Sequence, residues 1–407
     1  MILLMRQTIA FHKASSFITA SVQQTVGMCK PQKKFISWLL ITWVLLPVRH
    51  NFLNLFRYGN GEYCEKSIRQ QFGSKVPFVS WFMVAFKDLK EKELVAAFDP
   101  SHISKSGKHT FGKGKYWSGK DQQTKEGLEV GCLSIVDVAD RTAYSMEVVQ
   151  TPSDKEGTLV GHYVSIIENR LEELLSYTKY LAVDGYFMKK NFIDPLTKKG
   201  LNIITKMRQD ANLMYLFDGE QKSRGRKRVH GDKVDVRNID KSKWDKCLDD
   251  DDITAYEQQL YCVTLKRVVK VVYMEFKGTN RYAILLSTDI GLEGAKVIAY
   301  YKLRFQIEFL IRDAKQYTGL EECQARSETK LYNHFNMSMM AVSLMKYSCW
   351  ATLPNKTEVP FSMRSIKTWF YNKHLTETIF TNLGLELNCD KLKQLYNQCL
   401  DIGAMAA

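Results

Sequence analysis

The chain has no CxxC pair. Its nine cysteines are scattered singly, which excludes a zinc ribbon or a thioredoxin-type redox motif. An odd, unpatterned set reads as free thiols in a reducing compartment. Internal repeats and long low-complexity tracts are lacking too. Nor does the run Phe35–Leu46 (FISWLLITWVLL) reach across a bilayer: as a helix it spans about 18 Å, against a hydrocarbon core of about 30 Å. Lys33 and Lys34 precede this run, but no small-residue cleavage site follows, and Pro47 and Arg49 end it. It therefore reads as a buried helix and not as a leader.

What is present is a folded, basic protein. With 407 residues, 45% hydrophobic and 12% aromatic, the chain can build two or three domains around a sizeable core. Its net charge of +14 favours a polyanionic partner, either nucleic acid or an anionic membrane surface, and charge alone does not choose between them.

The texture changes along the chain. Residues 1–90 read as mostly helical, with basic and aromatic residues interleaved and a turn at Gly59-Asn60-Gly61 between two candidate helices. From residue 91 the pattern is α/β. ELVAAFDPSHI reads as an apolar strand stopped at Asp99-Pro100, and GLEVGCLSIVDV and AYSMEVVQT read as two more. Tyr163, Ile166, Ile167, Leu171, Leu174 and Leu175 then keep a helical period. YLAVDGYF follows as a strand ending at Asp184-Gly185, and GLNIITKM is another. Residues 208–290 read as β-rich, with YCVTLKRVVKVVYMEF and RYAILLST as strand-like segments. Residues 291–350 carry a charged helix and a Met-rich core helix, with Met337, Met339, Met340 and Met345, and residues 351–407 are helical.

The charged helix holds Tyr301, Arg304, Glu308 and Lys315. At roughly 100° per residue these fall near 0°, 300°, 340° and 320°, one narrow stripe. Leu303, Ile307, Leu310, Ile311 and Ala314 share a neighbouring arc that reads as the buried face. The ordinary reading of such a helix is a solvated face laced with ion pairs. Two further acids argue for more. Asp99 and Asp184 each stand at the end of a strand, where open α/β sheets gather their functional groups. With Glu308 they would make an all-oxygen, anionic site, which suits hard divalent ions such as Mg²⁺ or Mn²⁺. Two such ions can serve phosphodiester chemistry.

These blocks resemble the DDE transposases of bacterial insertion sequences, of the insertion sequence four type. Their Tyr-x2-Arg-x3-Glu-x6-Lys signature is matched at Tyr301, Arg304, Glu308 and Lys315. AFDPSHISKSGKHTFGKGKYW is similar to the family's first-acid block, AVDGYFMKKNF to its second, and GRKRVHGDKV to a segment between the second and third acids. The resemblance covers roughly residues 90–350. It implies an RNase H-like mixed sheet with helices, interrupted by a β-rich insertion and flanked by helical N- and C-terminal regions. The partition would be 1–90 for binding DNA ends, 91–207 for the first part of the core, 208–290 for the insertion, 291–350 for the third-acid helix and the helix after it, and 351–407 for possible dimerisation.

The resemblance further implies that Asp99, Asp184 and Glu308 hold two Mg²⁺ or Mn²⁺ ions, and that Tyr301, Arg304 and Lys315 contact transposon-end DNA. The implied reaction is cleavage at the inverted-repeat ends of double-stranded DNA, followed by attack of the freed 3′ hydroxyl on target DNA. The implied assembly is a homodimer in a synaptic complex, without a membrane, in the cytoplasm and on the nucleoid when bound to DNA. Phe305 stands where many members carry Trp. Trp244, the one Trp of residues 208–290, is either a core residue or the family's acceptor for a flipped base. The basic stretch Arg224, Arg226, Lys227, Arg228 and Lys233 reads as a phosphate-contacting patch. Asp249–Asp252 reads as a solvated loop, and His102 and His109 as loop histidines near the first acid. The same residues leave two alternatives open: a nuclease without strand transfer, and a non-catalytic DNA-binding relic or inhibitor of transposition.

Overall fold

The computed structural model describes residues 14–119, 121–153, 157–221, 223–228, 230–352 and 361–403. Parts of the expected regions 1–90 and 351–407 thus lie outside the described residues. No helix among those described is long and apolar enough to cross a membrane.

Five helices come first: α1 (14–24), α2 (Lys30–Leu45), α3 (Phe52–Tyr58), α4 (Glu65–Gln71) and α5 (Phe78–Ala85). Pro31 opens α2, where a missing N–H costs nothing. The apolar run expected to be a buried helix is one: Phe35, Ile36, Leu39, Leu40, Trp43 and Val44 are all within 1% of full burial. Each such large side chain contributes roughly 1.5–3 kcal/mol. The expected turn also forms: α3 and α4 are separated at Asn60 and Gly61, both with positive φ.

Twelve strands among the described residues form one hydrogen-bonded sheet. Its first part comprises β1 (Leu94–Ser104), β2 (Gly114–Ser118), β3 (Gln123–Asp137) and β4 (Thr142–Thr151), then β5 (Tyr180–Val183) and β6 (Asn202–Met207). The second part comprises β7 (Leu213–Leu216), β8 (His230–Lys233), β9 (Asp245–Asp249), β10 (Ile253–Cys262), β11 (Arg267–Phe276) and β12 (Tyr282–Ser287). The order is β2-β3-β1-β5-β6-β12-β11-β10-β7-β8, with β4 also on β3 and β9 also on β10. β1, β5 and β6 run parallel, and the other pairs are antiparallel. Because β12 pairs with β6, the β-rich stretch continues the sheet begun by β1.

Several sequence expectations are corrected. β1 does not stop at Asp99-Pro100 but continues to Ser104, paired along its length with β3. Proline brings no N–H to a ladder. Since β5 pairs with β1 only at Ala96 and Ala97, no strand on that side needs one. The helix expected from Leu159 onward is two, α6 (Leu159–Glu168) and α7 (Leu171–Leu175), parted at Asn169-Arg170. Thr158 caps α6 by accepting the Gly161 N–H at 3.1 Å. A helix not foreseen, α8 (Lys190–Lys198), joins β5 to β6, as a parallel crossover requires. YCVTLKRVVKVVYMEF is the end of β10, a turn and then β11, with Lys266 at φ +54.

The remaining helices are α9 (Gly294–Leu303), α10 (Phe305–Tyr317), α11 (Glu328–Thr352), α12 (Met363–Asn382) and α13 (Asp390–Leu400). α9 and α10 share one face of the sheet with the near halves of β1 and β5, while α2, α5, α6 and α8 belong to the opposite core. α11 serves both, and its four methionines are fully buried, as a core helix requires. Asn336 on α11 bonds both the N–H and the C=O of Val148, at 2.8 and 2.7 Å. It thereby occupies the free edge of β4 as another strand would.

Candidate active site

Strand alternation decides where the two aspartates face. On β1, Val95 and Ala97 join the α9–α10 core, while Ala96 and Phe98 join the opposite one. On β5, Ala182 faces α9–α10, while Leu181 and Val183 face away. Side chains alternate with a period of two, so Asp99 and Asp184 both turn toward α10. Asp184 follows β5 directly and opens a short 3₁₀ turn, Gly185–Phe187. Its carbonyl accepts the Thr205 hydroxyl at 2.9 Å. A Cβ at Gly185 would stand 3.1 Å from the Lys206 carbonyl, so the chain leaves the strand through a gap that suits glycine.

The signature residues lie on two helices rather than one. Tyr301 lies in the last turn of α9, and Glu308 and Lys315 lie on α10. Arg304 sits at the junction with φ −51 and ψ −36, so the helical direction is kept and the stripe survives the break. Leu303, Ile307, Leu310, Ile311 and Ala314 are buried as expected. Arg304 is not on a solvated face: only 5% of it is exposed. Its Nη2 is 2.8 Å from Glu308 and its Nη1 is 3.8 Å from Asp99. The guanidinium also lies over the Phe305 ring, 4.7 Å from its centre, and its Nε is buried with no partner among the described residues.

Asp99, Asp184, Glu308, Arg304 and Tyr301 thus form one electrostatic group. Burial pushes the Asp99 carboxyl up to about 7; Arg304 opposes this, and the charges of Glu308 and Asp184 reinforce it. For Arg304, burial works against the charge, but the facing Asp99 and Glu308 carboxylates outweigh it and hold the guanidinium above its usual value. Burial likewise raises the Tyr301 phenol, with Arg304 pulling the other way.

Lys315 belongs to the edge of this group. Its Nζ donates to the His102 carbonyl at 2.9 Å and pairs with Glu321 at 3.0 Å. Arg224, Arg226, Lys227 and Arg228 lie apart, exposed on the connection from β7 to β8, and Lys233 is exposed at the end of β8. Among the described residues none of these pairs with the three acids. Arg228 instead meets Asp232 at 3.5 Å and lies over the Phe217 ring. Of the expected solvated loop only Asp250–Asp252 is one: Asp249 ends β9, paired with Thr254 and held by Lys246 and Lys277 at 2.9 and 2.8 Å. His109 is exposed in the loop after β1, but His102 is not a loop residue: it lies within β1, opposite Glu129, and its buried Nε2 has no partner among the described residues. Trp244 is buried, and its indole N–H donates to the Tyr215 hydroxyl at 3.2 Å. It is a core residue, and its ring is not presented to a ligand.

The family whose defining pattern matches this chain is the transposase DDE domain, over residues 90–344. The chain belongs to that family. No curated protein matches the sequence. The matched segment is more than half of the chain; it starts just before β1 and ends within α11, so it holds all three acids. Membership of this transposase family implies a DNA substrate.

Features beside the acids of this transposase were not picked out from sequence. Lys206, Arg208 and Arg237 line a cleft of ≈ 470 Å³ that begins at Gly185. Tyr186 and Phe309, each one or two residues past an acid, are exposed. Phe309 had a legible signal, since it is apolar yet falls outside the buried arc of its helix.

Proposed function

We propose that this transposase cleaves DNA at the ends of a bacterial insertion sequence of the insertion sequence four type. The freed 3′ hydroxyl then joins target DNA in a cut-and-paste reaction. The observation that carries the proposal is the meeting of Asp99 and Asp184 on one face of the sheet, opposite Glu308 and Arg304. The strand order β4-β3-β1-β5-β6, three antiparallel strands followed by two parallel additions, supports an RNase H-like core. In this reading residues 91–207 and 291–350 form that core, 208–290 the insertion, 1–90 the end-binding region and 351–407 a dimerisation region. The working unit is a homodimer in the cytoplasm.

Asp99, Asp184 and Glu308 are proposed to hold two Mg²⁺ or Mn²⁺ ions. Among the described residues no three acidic, His or Cys side chains are already gathered closely enough to hold a metal. The donor chemistry nevertheless fits: every donor is a carboxylate oxygen, and Asp99 carries an unfavourable charge that a cation would relieve. When bound, such ions activate the attacking oxygen and stabilise the leaving one. The protein's own part is to position the DNA. Arg304 has a planar fork suited to two phosphate oxygens, the Tyr301 hydroxyl can donate to a third, and Lys315 supplies a point charge. Arg224, Arg226, Lys227 and Arg228 would contact the backbone further out.

The test is excision from a plasmid that carries the gene's native flanking DNA, with Mg²⁺, comparing wild type with Asp184→Ala. Excision that needs Asp184 is the expected result. Ends bound by both proteins but cut by neither would favour the non-catalytic alternative.

A further inference from the structure

Three cations from distant parts of the chain meet at the connection between α10 and α11. Arg49 directly precedes His50, whose backbone N–H and ring nitrogen both bond to Glu322 at 2.7 Å. Lys105, one residue past β1, donates its ammonium to the Cys323 carbonyl. Arg326 completes the group. Its carbonyl accepts the Phe111 N–H at 2.9 Å, which ties it to the loop that carries Lys105. Arg49 and Arg326 are exposed, and Lys105 is half-buried. The acids of this connection are already engaged, Glu321 by Lys315 at 3.0 Å and Glu322 by His50; among the described residues none of the three cations pairs with a carboxylate. Burial lowers the Lys105 ammonium below its usual value; Cys323 opposes this, and the charges of Arg49 and Arg326 add to it. The three therefore stand close enough to repel one another.

We infer that Arg49, Lys105 and Arg326 form a binding site for the phosphate backbone of duplex DNA, set away from the acids along β1. This rests on the transposase reading above and adds the direction in which the duplex leaves the acids. Like charges gathered without counterions repel, and phosphates bound among them relieve that repulsion. Long cationic side chains on an ordinary surface spread apart, but here the bonds to Glu322, Cys323 and Arg326 hold all three segments to one connection. Their placement favours a long anion over a small one. Asp99 and Lys105 are six residues apart along an extended chain, about 20 Å at roughly 3.3 Å per residue. Between them Lys315 donates to the His102 carbonyl at 2.9 Å. Positive charge thus continues from Arg304 through Lys315 to Lys105 in one direction. Duplex DNA advances about 3.4 Å per base pair, so a backbone with its reacting phosphate at the acids reaches Lys105 about six base pairs further on. Arg49, between α2 and α3, carries the same path onto the N-terminal helices.

The test uses the full chain without divalent metal, so that cleavage does not enter. Affinity for a labelled duplex of about 20 base pairs is measured over a range of salt concentrations, and the slope of log affinity against log salt counts the phosphates contacted. Arg49→Gln, Lys105→Gln and Arg326→Gln should each flatten the slope by about 0.9, and the triple variant by about 2–3. Arg326→Lys keeps the charge and should keep the slope. Lys198→Gln makes the same change of charge at an exposed position on α8 and should leave the slope as in wild type. An unchanged slope in the three variants, an equal fall in Lys198→Gln, or a slope lost in Arg326→Lys would each overturn the inference. A site for a free anion would instead bind inorganic phosphate, seen as a rise in melting temperature that the triple variant loses, with the duplex slope unaltered; that result also overturns it. Arg49 and Arg326 are exposed, so unchanged thermal unfolding of their variants is expected, and these two carry the test if Lys105→Gln fails to fold. The two readings fail separately. Flattened slopes without excision sink the transposase reading alone, and excision with unaltered slopes sinks this inference alone.

Discussion

Asp99 and Asp184 each stand two residues beyond Ala97 and Ala182, which face one another in the register of two parallel strands. Parallel neighbours lie about 4.8 Å apart, so a matched step along each brings the two carboxylates level. Small residues behind them, Ala97 and Ala182, let α9 and α10 pack closely against the same face. Glu308 then arrives from a helix more than a hundred residues later in the chain.

Replacing any one of Asp99, Asp184 or Glu308 by its amide should reduce end cleavage by at least about a hundredfold, the scale expected of a group acting on the reacting atoms. Binding of end DNA should survive, because the cations are untouched. Strand-nicking and mobility-shift measurements on the same preparations check this. Near-normal cleavage by one of the amides would remove that residue from the site.

The pH dependence of stability should carry the mark of Asp99. Its folded-state value of about 7 lies above that of an unfolded carboxyl. The native state therefore holds the proton more tightly, and the stability this contributes is lost as pH rises from about 4 through 7. Asp99→Asn removes the penalty, so at pH 8 it should be more stable than wild type by on the order of a few kcal/mol and melt at a higher temperature, and the gap should close toward pH 5. Thermal melts at both values, in chelator, test the sign.

Arg304 moderates that penalty through its contact with Asp99 at 3.8 Å. Arg304→Gln should push the Asp99 carboxyl above 7, because the opposing positive charge is gone while Glu308 and Asp184 remain. A carboxyl carbon titration by NMR, with labelled aspartate, reads the midpoint directly. A midpoint that stays in place would mean that burial alone sets it.

Trp244→Phe should leave the affinity for end DNA unchanged while lowering stability by about 1–2 kcal/mol, through the lost bond to Tyr215 and poorer filling of its site. Urea unfolding and DNA titration together distinguish a core residue from a base acceptor.

Gly319 ends the helix that carries Glu308, with φ +71, and a Cβ there would stand 2.5 Å from His50 Nδ1. His50 in turn is bound to Glu322 at 2.7 Å, and Trp43 donates to the Thr318 carbonyl at 2.8 Å. Gly319→Ala should therefore cost about 1–3 kcal/mol in backbone strain and displaced contacts, seen as a lower urea midpoint with an unchanged slope.

The sequence by itself determined what depends on near neighbours along the chain. The continuous apolar runs LVAAF and YLAV made strands buried on both faces, and the spacing of Leu303, Ile307, Leu310, Ile311 and Ala314 chose the packed side of the third-acid helix. The apolar density of Phe35–Leu46 made it a core helix too short for a bilayer. Such patterns are visible because burial imposes a period on each element separately. Tertiary structure alone decided the rest. Nothing local states that β1 and β5 pair at Ala97 and Ala182, that β12 closes on β6, or that β1 runs on past Pro100 because its β5 side is open there. Nor does spacing show that Arg304 is buried between two acids, or that Trp244 turns inward to Tyr215. These depend on which distant segment supplies the partner, and pairing between segments far apart in sequence leaves no periodic trace within either one.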